Sequence, residues 1–212
     1  MDLFNILKMI QRAVIRFWVI LSLFCSEKVF AQEDLFALIR SESEQQSVPL
    51  LPEKMLFTQR LLWGQRGLLR KINLAPLTIE QREKELKLRR KMLNVHQAIG
   101  FLTLTGMIVQ GVLGTQLYNR NYKLYKTHKT IGNLTTASYY TGASLSLFAP
   151  PPLSNNKNKG LNSAKAHKYL ATLHFSAMTA TAFLADQNIK LHRAAALTAF
   201  GSYAAAIIVF KF

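Results

Sequence analysis

Four apolar stretches, roughly residues 95 to 117, 128 to 149, 165 to 185 and 190 to 210, fill the C-terminal part of this chain. Each is close to the roughly 20 residues that carry a helix across a hydrocarbon core. No other feature limits the fold as strongly. The connections between them, Tyr118 to Thr127, Pro150 to Ala164 and Asp186 to Ile189, are polar and short. Short links make successive helices antiparallel neighbours. The expectation is an all-α membrane protein: an up-down-up-down four-helix transmembrane bundle over residues 94–212, multi-pass in the cell (inner) membrane of a bacterium.

The charge distribution narrows the chemistry. The chain holds 27 Lys and Arg against 11 Asp and Glu, a net charge of +16. Most of the bases flank apolar segments, as loop charges of membrane proteins do. They do not cover a soluble folded face, so the lipid bilayer is the expected partner and nucleic acid is not. After Glu85 the only carboxylate is Asp186. That excludes a carboxylate-bridged di-iron site, an intramembrane acid relay and hydrolysis by paired carboxylates.

The N-terminus reads as an export signal. Lys8, Arg12 and Arg16 precede an apolar run from Phe17 to Cys25, and Val29-Phe30-Ala31 forms a cleavage site before Gln32. Cleavage after Ala31 removes Cys25, the only cysteine, leaving neither a disulfide nor a thiolate ligand. Residues 32–93 are then an extracytoplasmic, periplasmic connector. Its first part, Gln32 to Pro52, is an acidic, Ser/Gln-rich irregular arm. From Met55 to Ile72, leucines alternate with Arg60, Arg66, Arg70 and Lys71, which predicts a helix lying in the membrane interface with Trp63 at headgroup level. Thr78 and Gln81 have capping-box spacing at the head of a charged segment, Ile79 to Leu93. That segment's acids come first and its bases last, as suits a solvated helix.

Aligning the four apolar segments uncovers a repeat. His96, His128, His167 and His192 stand near the four starts, each followed four residues later by a small residue: Gly100, Gly132, Ala171 and Ala196. Residues four apart share a helix face, so each imidazole has open space one turn further in, wide enough for a flat macrocycle or a neighbouring helix. In an antiparallel bundle the odd helices start on one side of the membrane and the even helices on the other. His96 therefore pairs with His167, and His128 with His192, across the two diagonals. Each pair is suited to holding one b-type haem with two axial imidazoles, an arrangement for electron transfer in which no position is left open for oxygen. The two sites would lie on the order of 30 Å apart along the membrane normal. Copper on the same imidazoles is the competing metal reading.

With these residues in place, the segment 94–210 resembles the cytochrome b561 family, whose core has four transmembrane helices with one haem-ligating histidine each, paired first with third and second with fourth. The resemblance implies two haem b groups and electron transfer from a small donor, such as ascorbate or a quinol, to an acceptor such as ferric iron or a redox protein. A reductase activity would follow, and a homodimer is compatible with it. Two features depart from that core: the signal peptide and connector up to Leu93, and a second histidine on the third helix. His174 lies seven residues beyond His167 on the same face, and either is a candidate ligand. His174 is otherwise suited to hydrogen-bond a carbonyl or a propionate. Further readings are a haem-free structural or assembly subunit, and a quinol-oxidising subunit of a larger redox complex. Lys157, Lys159, Lys165 and Lys168 form a basic patch beside His167, and Tyr139, Tyr140 and Tyr169 are candidates for a haem edge.

Overall fold

The computed structural model describes residues 49–153 and 163–211, with four isolated positions, 8, 11, 12 and 15. Most of the expected signal peptide, residues 32–48 of the expected arm from Gln32 to Pro52, and Lys157 and Lys159 lie outside the described residues. The described chain is helical throughout: α1 Phe57–Trp63, α2 Leu68–Lys71, α3 Ile79–Tyr118, a 3-10 turn at Tyr122–Leu124, α4 Tyr125–Leu147, α5 Ser163–Leu184 and α6 Ile189–Lys211. It falls into two compact units, one holding 49–91 and 147–153, the other 92–146 and 163–211.

Two sequence expectations need correction. The charged segment and the first apolar segment are one continuous helix of 40 residues, α3, because nothing from Leu93 to Val95 breaks a helix. The interfacial helix is two short ones. Gly64 and Gly67 bracket a tight turn in which a Cβ at Gly67 would lie 2.5 Å from the Leu62 carbonyl oxygen.

The helix ends are set by local chemistry. Thr78 Oγ1 accepts from the Gln81 N–H at 3.2 Å, starting α3. At its far end Arg120 adopts a positive φ of 65°. There the Asn121 N–H returns to the Gln116 carbonyl and the Arg120 N–H to Leu117, closing a Schellman motif. Asn188 caps α6, its Oδ1 accepting from the N–H groups of Lys190 and Leu191 at 3.1 Å each.

In the first unit the surprise is what is buried. Six successive carbonyls, Leu147 to Pro152, each receive a side-chain donor from the connector or the head of α3. Thr58 Oγ1 donates to Leu147 at 2.6 Å, Trp63 Nε1 to Phe148 at 2.9 Å and Gln59 Nε2 to Ala149 at 3.2 Å. Arg89 donates to Pro150 at 2.7 Å, and Arg82 to Pro151 at 3.1 Å and Pro152 at 3.4 Å. The three prolines have no N–H and cannot build a ladder of their own, so their acceptors must be met from outside. Behind this strap Glu85 is held by Arg82 and bidentately by Arg70. Arg82 and Glu85 are among the most buried side chains, at 2 % and 1 % exposure. Burial lowers the pKa of Arg89, and the neighbouring Arg82 cation adds to that. The solvated-helix expectation is thus wrong for Arg82 and Glu85. Trp63 is likewise buried and hydrogen-bonded, not placed at headgroup level.

In the second unit every observed neighbour pair runs antiparallel. Between α3 and α4, His96 meets Gly142, Thr103 meets Ser138 at 2.9 Å, and Gln110 meets the His128 carbonyl at 3.0 Å. Gly106 sits so close to Thr135 that a Cβ would lie 2.5 Å from its hydroxyl. Between α5 and α6, His167 meets Ala206 and His192 meets Thr181. Tyr203 on α6 reaches Gly100 on α3, and Arg193 stacks over Tyr118 at 4.2 Å. The buried side chains combine apolar Leu104, Leu113, Ala177, Ala199 and Ala206 with polar Thr103, Thr135, His174 and Ser202. Four membrane-spanning helices were expected; by length and composition α3 is the one described helix long and apolar enough to cross a membrane.

Candidate functional site

The five histidines lie in three layers. His128 on α4 and His192 on α6 face each other with ring centroids 6.3 Å apart and planes at 81°. His96 on α3 and His167 on α5 are electrostatic neighbours at the other end of these helices. The layers are separated by the helix rise: His128 abuts Gly114, which lies 18 residues beyond His96 on α3, about 27 Å along the axis. His174 sits between them.

Three of these imidazoles share one arrangement. The Nδ1 of His96 bonds the Gly142 carbonyl at 2.8 Å, that of His192 the Thr181 carbonyl at 2.8 Å, and that of His167 the Ala206 carbonyl at 3.1 Å. A carbonyl only accepts, so each Nδ1 is the donor, an arrangement that in the neutral tautomer leaves the lone pair on Nε2. Each carbonyl comes from an adjacent helix, which fixes the ring plane as well as the tautomer. The Nδ1 of His128 is buried without any partner, on the ring edge that lies toward Gly114. No three His, Cys, Asp or Glu side chains converge among the described residues; the histidines are arranged by pairs.

Two imidazoles bound on opposite sides of one metal, with bonds of about 2.0–2.1 Å and ring centres about 1.1 Å behind each nitrogen, stand about 6.3 Å apart. The His128/His192 separation matches that value. Ordinary edge-to-face aromatic contacts span about 4.5–7 Å and include it as well. Unlike the other three rings, His128 has no carbonyl on its Nδ1, and a buried nitrogen without a partner costs about 1–3 kcal/mol.

The space beside the histidines comes from different glycines than the repeat suggested. A Cβ on Gly100 would meet Tyr203 Oη at 3.5 Å, and one on Gly132 would meet Gln110 at 3.4 Å. Those positions are filled. The glycines that lie against imidazoles are Gly142, beside His96, and Gly114, whose Cβ would touch His128 at 3.4 Å. They sit on neighbouring helices, out of reach of any local spacing rule.

His174 is placed differently. It is buried at 9 % exposure, its Nδ1 is 2.7 Å from Tyr139 Oη, and its ring packs edge-on to Tyr203 at 4.9 Å. No sequence signal pairs Tyr139 and Tyr203 with it, since they lie 35 and 29 positions away on other helices. Tyr140 bonds Thr179 and Tyr169 is exposed at 70 %. Asp186 stands at 3.7 Å from Lys129 in an exposed pair, of little energetic weight.

Comparison with known protein families, with curated proteins and with solved structures yields no match.

Proposed function

We propose that this chain is a transmembrane electron carrier, an up-down-up-down four-helix bundle that holds two b-type haems, one between His96 and His167 and one between His128 and His192. The observation that carries the reading is the His128/His192 pair, with ring centroids 6.3 Å apart. The cytochrome b561 resemblance supplies the same pairing from the sequence side.

The chain's own residues do the positioning. Nδ1–H bonds to the Gly142, Ala206 and Thr181 carbonyls hold three rings in orientation and leave Nε2 as the ligating atom. Such outer bonds also raise ligand basicity. His167, the electrostatic neighbour of His96 at the helix end, is assigned as the α5 ligand, and His174, bonded to Tyr139 and packed edge-on to Tyr203, is a polar centre between the layers. Held between these imidazoles, haem would supply reversible one-electron chemistry.

The polar composition of α4 and α5 is compatible with lipid because their hydroxyls point back into the helices. Exposed Thr141, Thr172, Ser176 and Thr179 each donate to the carbonyl four residues earlier at 2.8–3.0 Å. A hydroxyl so bonded presents mainly carbon to its surroundings.

A dithionite-reduced minus oxidised absorbance spectrum of the detergent-solubilised protein, with haem counted per chain, tests the proposal. Two b-type haems per chain are expected, and a protein without a b-type spectrum sinks it. The rival, a haem-free structural subunit, is favoured by the same histidine–carbonyl bonds read as helix-to-helix ties. On that reading the double substitution of His96 and His128 leaves function intact.

A further inference from the structure

The first unit has its side chains distributed inside out. Thr58, Gln59 and Trp63 turn inward to hold the strap carbonyls. Facing outward are Phe57 at 78 % exposure, Leu61 at 57 %, Leu68 at 52 %, Ile72 at 58 % and Leu74 at 70 %. A water-facing surface places its large apolar groups the other way round, and exposed apolar side chains in this number mark a contact with a partner or a membrane.

The charge pattern says which. From Lys54 to Ile79 every charged residue is basic: Lys54, Arg60, Arg66, Arg70 and Lys71. Arg70 is consumed by Glu85, while Arg60 and Arg66 are exposed and enter no carboxylate pair among the described residues. These two arginines, with Met55, Phe57, Leu61 and Gln65, line an open groove of about 530 Å³. Guanidinium groups above an apolar floor complement a phosphate headgroup above an acyl chain.

We infer that this face is a docking surface for anionic phospholipid, with Arg60 and Arg66 receiving the phosphate and Phe57 and Leu61 entering the acyl layer. The inference rests on the membrane reading of the chain and is independent of haem. It differs from a plain interfacial helix: the anchor is Phe57, since Trp63 is turned inward to Phe148.

The test uses the full chain purified in detergent with equal phosphatidylglycerol and phosphatidylcholine, retained lipid being counted by native mass spectrometry. Wild-type protein retains phosphatidylglycerol about tenfold over phosphatidylcholine, the double variant Arg60→Gln/Arg66→Gln loses that preference, and Arg60→Lys/Arg66→Lys keeps most of it. In nanodiscs with brominated acyl chains, Phe57→Trp gains emission that the bromines quench beyond the wild-type background. Equal retention of the two lipids by the wild type, or added emission in the Phe57→Trp variant that the bromines leave unquenched, overturns the inference. Haem is read on the same samples. Lipid preference without haem refutes the electron-carrier proposal alone, and haem without lipid preference refutes the docking surface alone.

Discussion

Glu85→Gln removes the one negative charge from a cluster that holds two buried arginines, with Arg70 and Arg82 side chains at 6 % and 2 % exposure. The substitution keeps shape and volume, so the loss is electrostatic. Glu85 accepts from Arg70 through both carboxylate oxygens and from Arg82 through one of them. Glutamine offers a single acceptor and turns an NH2 toward a guanidinium. Breaking a buried ion pair while its partner stays in place costs about 3–5 kcal/mol, a large part of the roughly 5–15 kcal/mol that holds a domain together. For a chain of this size that corresponds to a drop on the order of 10 °C in unfolding temperature. Trp63 is a suitable reporter, because its carbonyl accepts from Arg70 at 3.3 Å and its indole donates to the strap. Thermal unfolding of the detergent-solubilised protein, followed by tryptophan emission, should show the shift. A double-mutant cycle with Arg82→Gln should recover part of the loss, since removing both charges leaves less uncompensated. A change within about 0.5 kcal/mol, the range of surface substitutions, would mean that Glu85 is solvated, and the buried cluster and the strap it supports would have to be abandoned.

Further outcomes follow from the histidine layers and the helix ends. His128→Ala, His192→Ala and the double variant should each lose the same single haem, leaving about half of the reduced-minus-oxidised absorbance; additive loss would refute the pairing. His167→Ala should lose the other haem, whereas His174→Ala should keep both and shift a midpoint potential in a redox titration; the opposite pattern would make His174 the ligand. Arg120→Gly should stabilise the protein by about 0.5–1 kcal/mol in thermal unfolding, since glycine relieves the positive φ at the end of α3.

How far the sequence can be read depends on the range of the interactions. The starts of the last three helices fall within three residues of the expected ones, because hydropathy and the short Asp186–Asn188 link are local signals. The exposure of Arg82 and Glu85 is misjudged for the opposite reason. A charged run reads as solvated unless one knows that Pro150, Pro151 and Pro152, over 60 positions later, present carbonyls without N–H groups of their own. The triple proline is the available clue. Trp63 is misplaced in the same way, its partner Phe148 being 85 residues distant. For the histidines, spacing identifies the residues but not the neighbours that orient them. Gly142, Thr181 and Ala206 act through backbone carbonyls, which carry no sequence signature.

Those carbonyls also bear on biogenesis. His167 and His192 are oriented by bonds within the α5–α6 hairpin, and His96 by a bond within α3–α4. In the α5–α6 hairpin both imidazoles are thus set within the hairpin itself, whereas in α3–α4 only His96 is, the Nδ1 of His128 having no partner. On the proposed assignment both haems bridge one hairpin to the other, so the cofactor acts as the rivet between two prefabricated halves. Without haem the halves would be joined by bonds such as Tyr139 to His174 and Tyr203 to Gly100 alone, so haem supply would set how firmly they close.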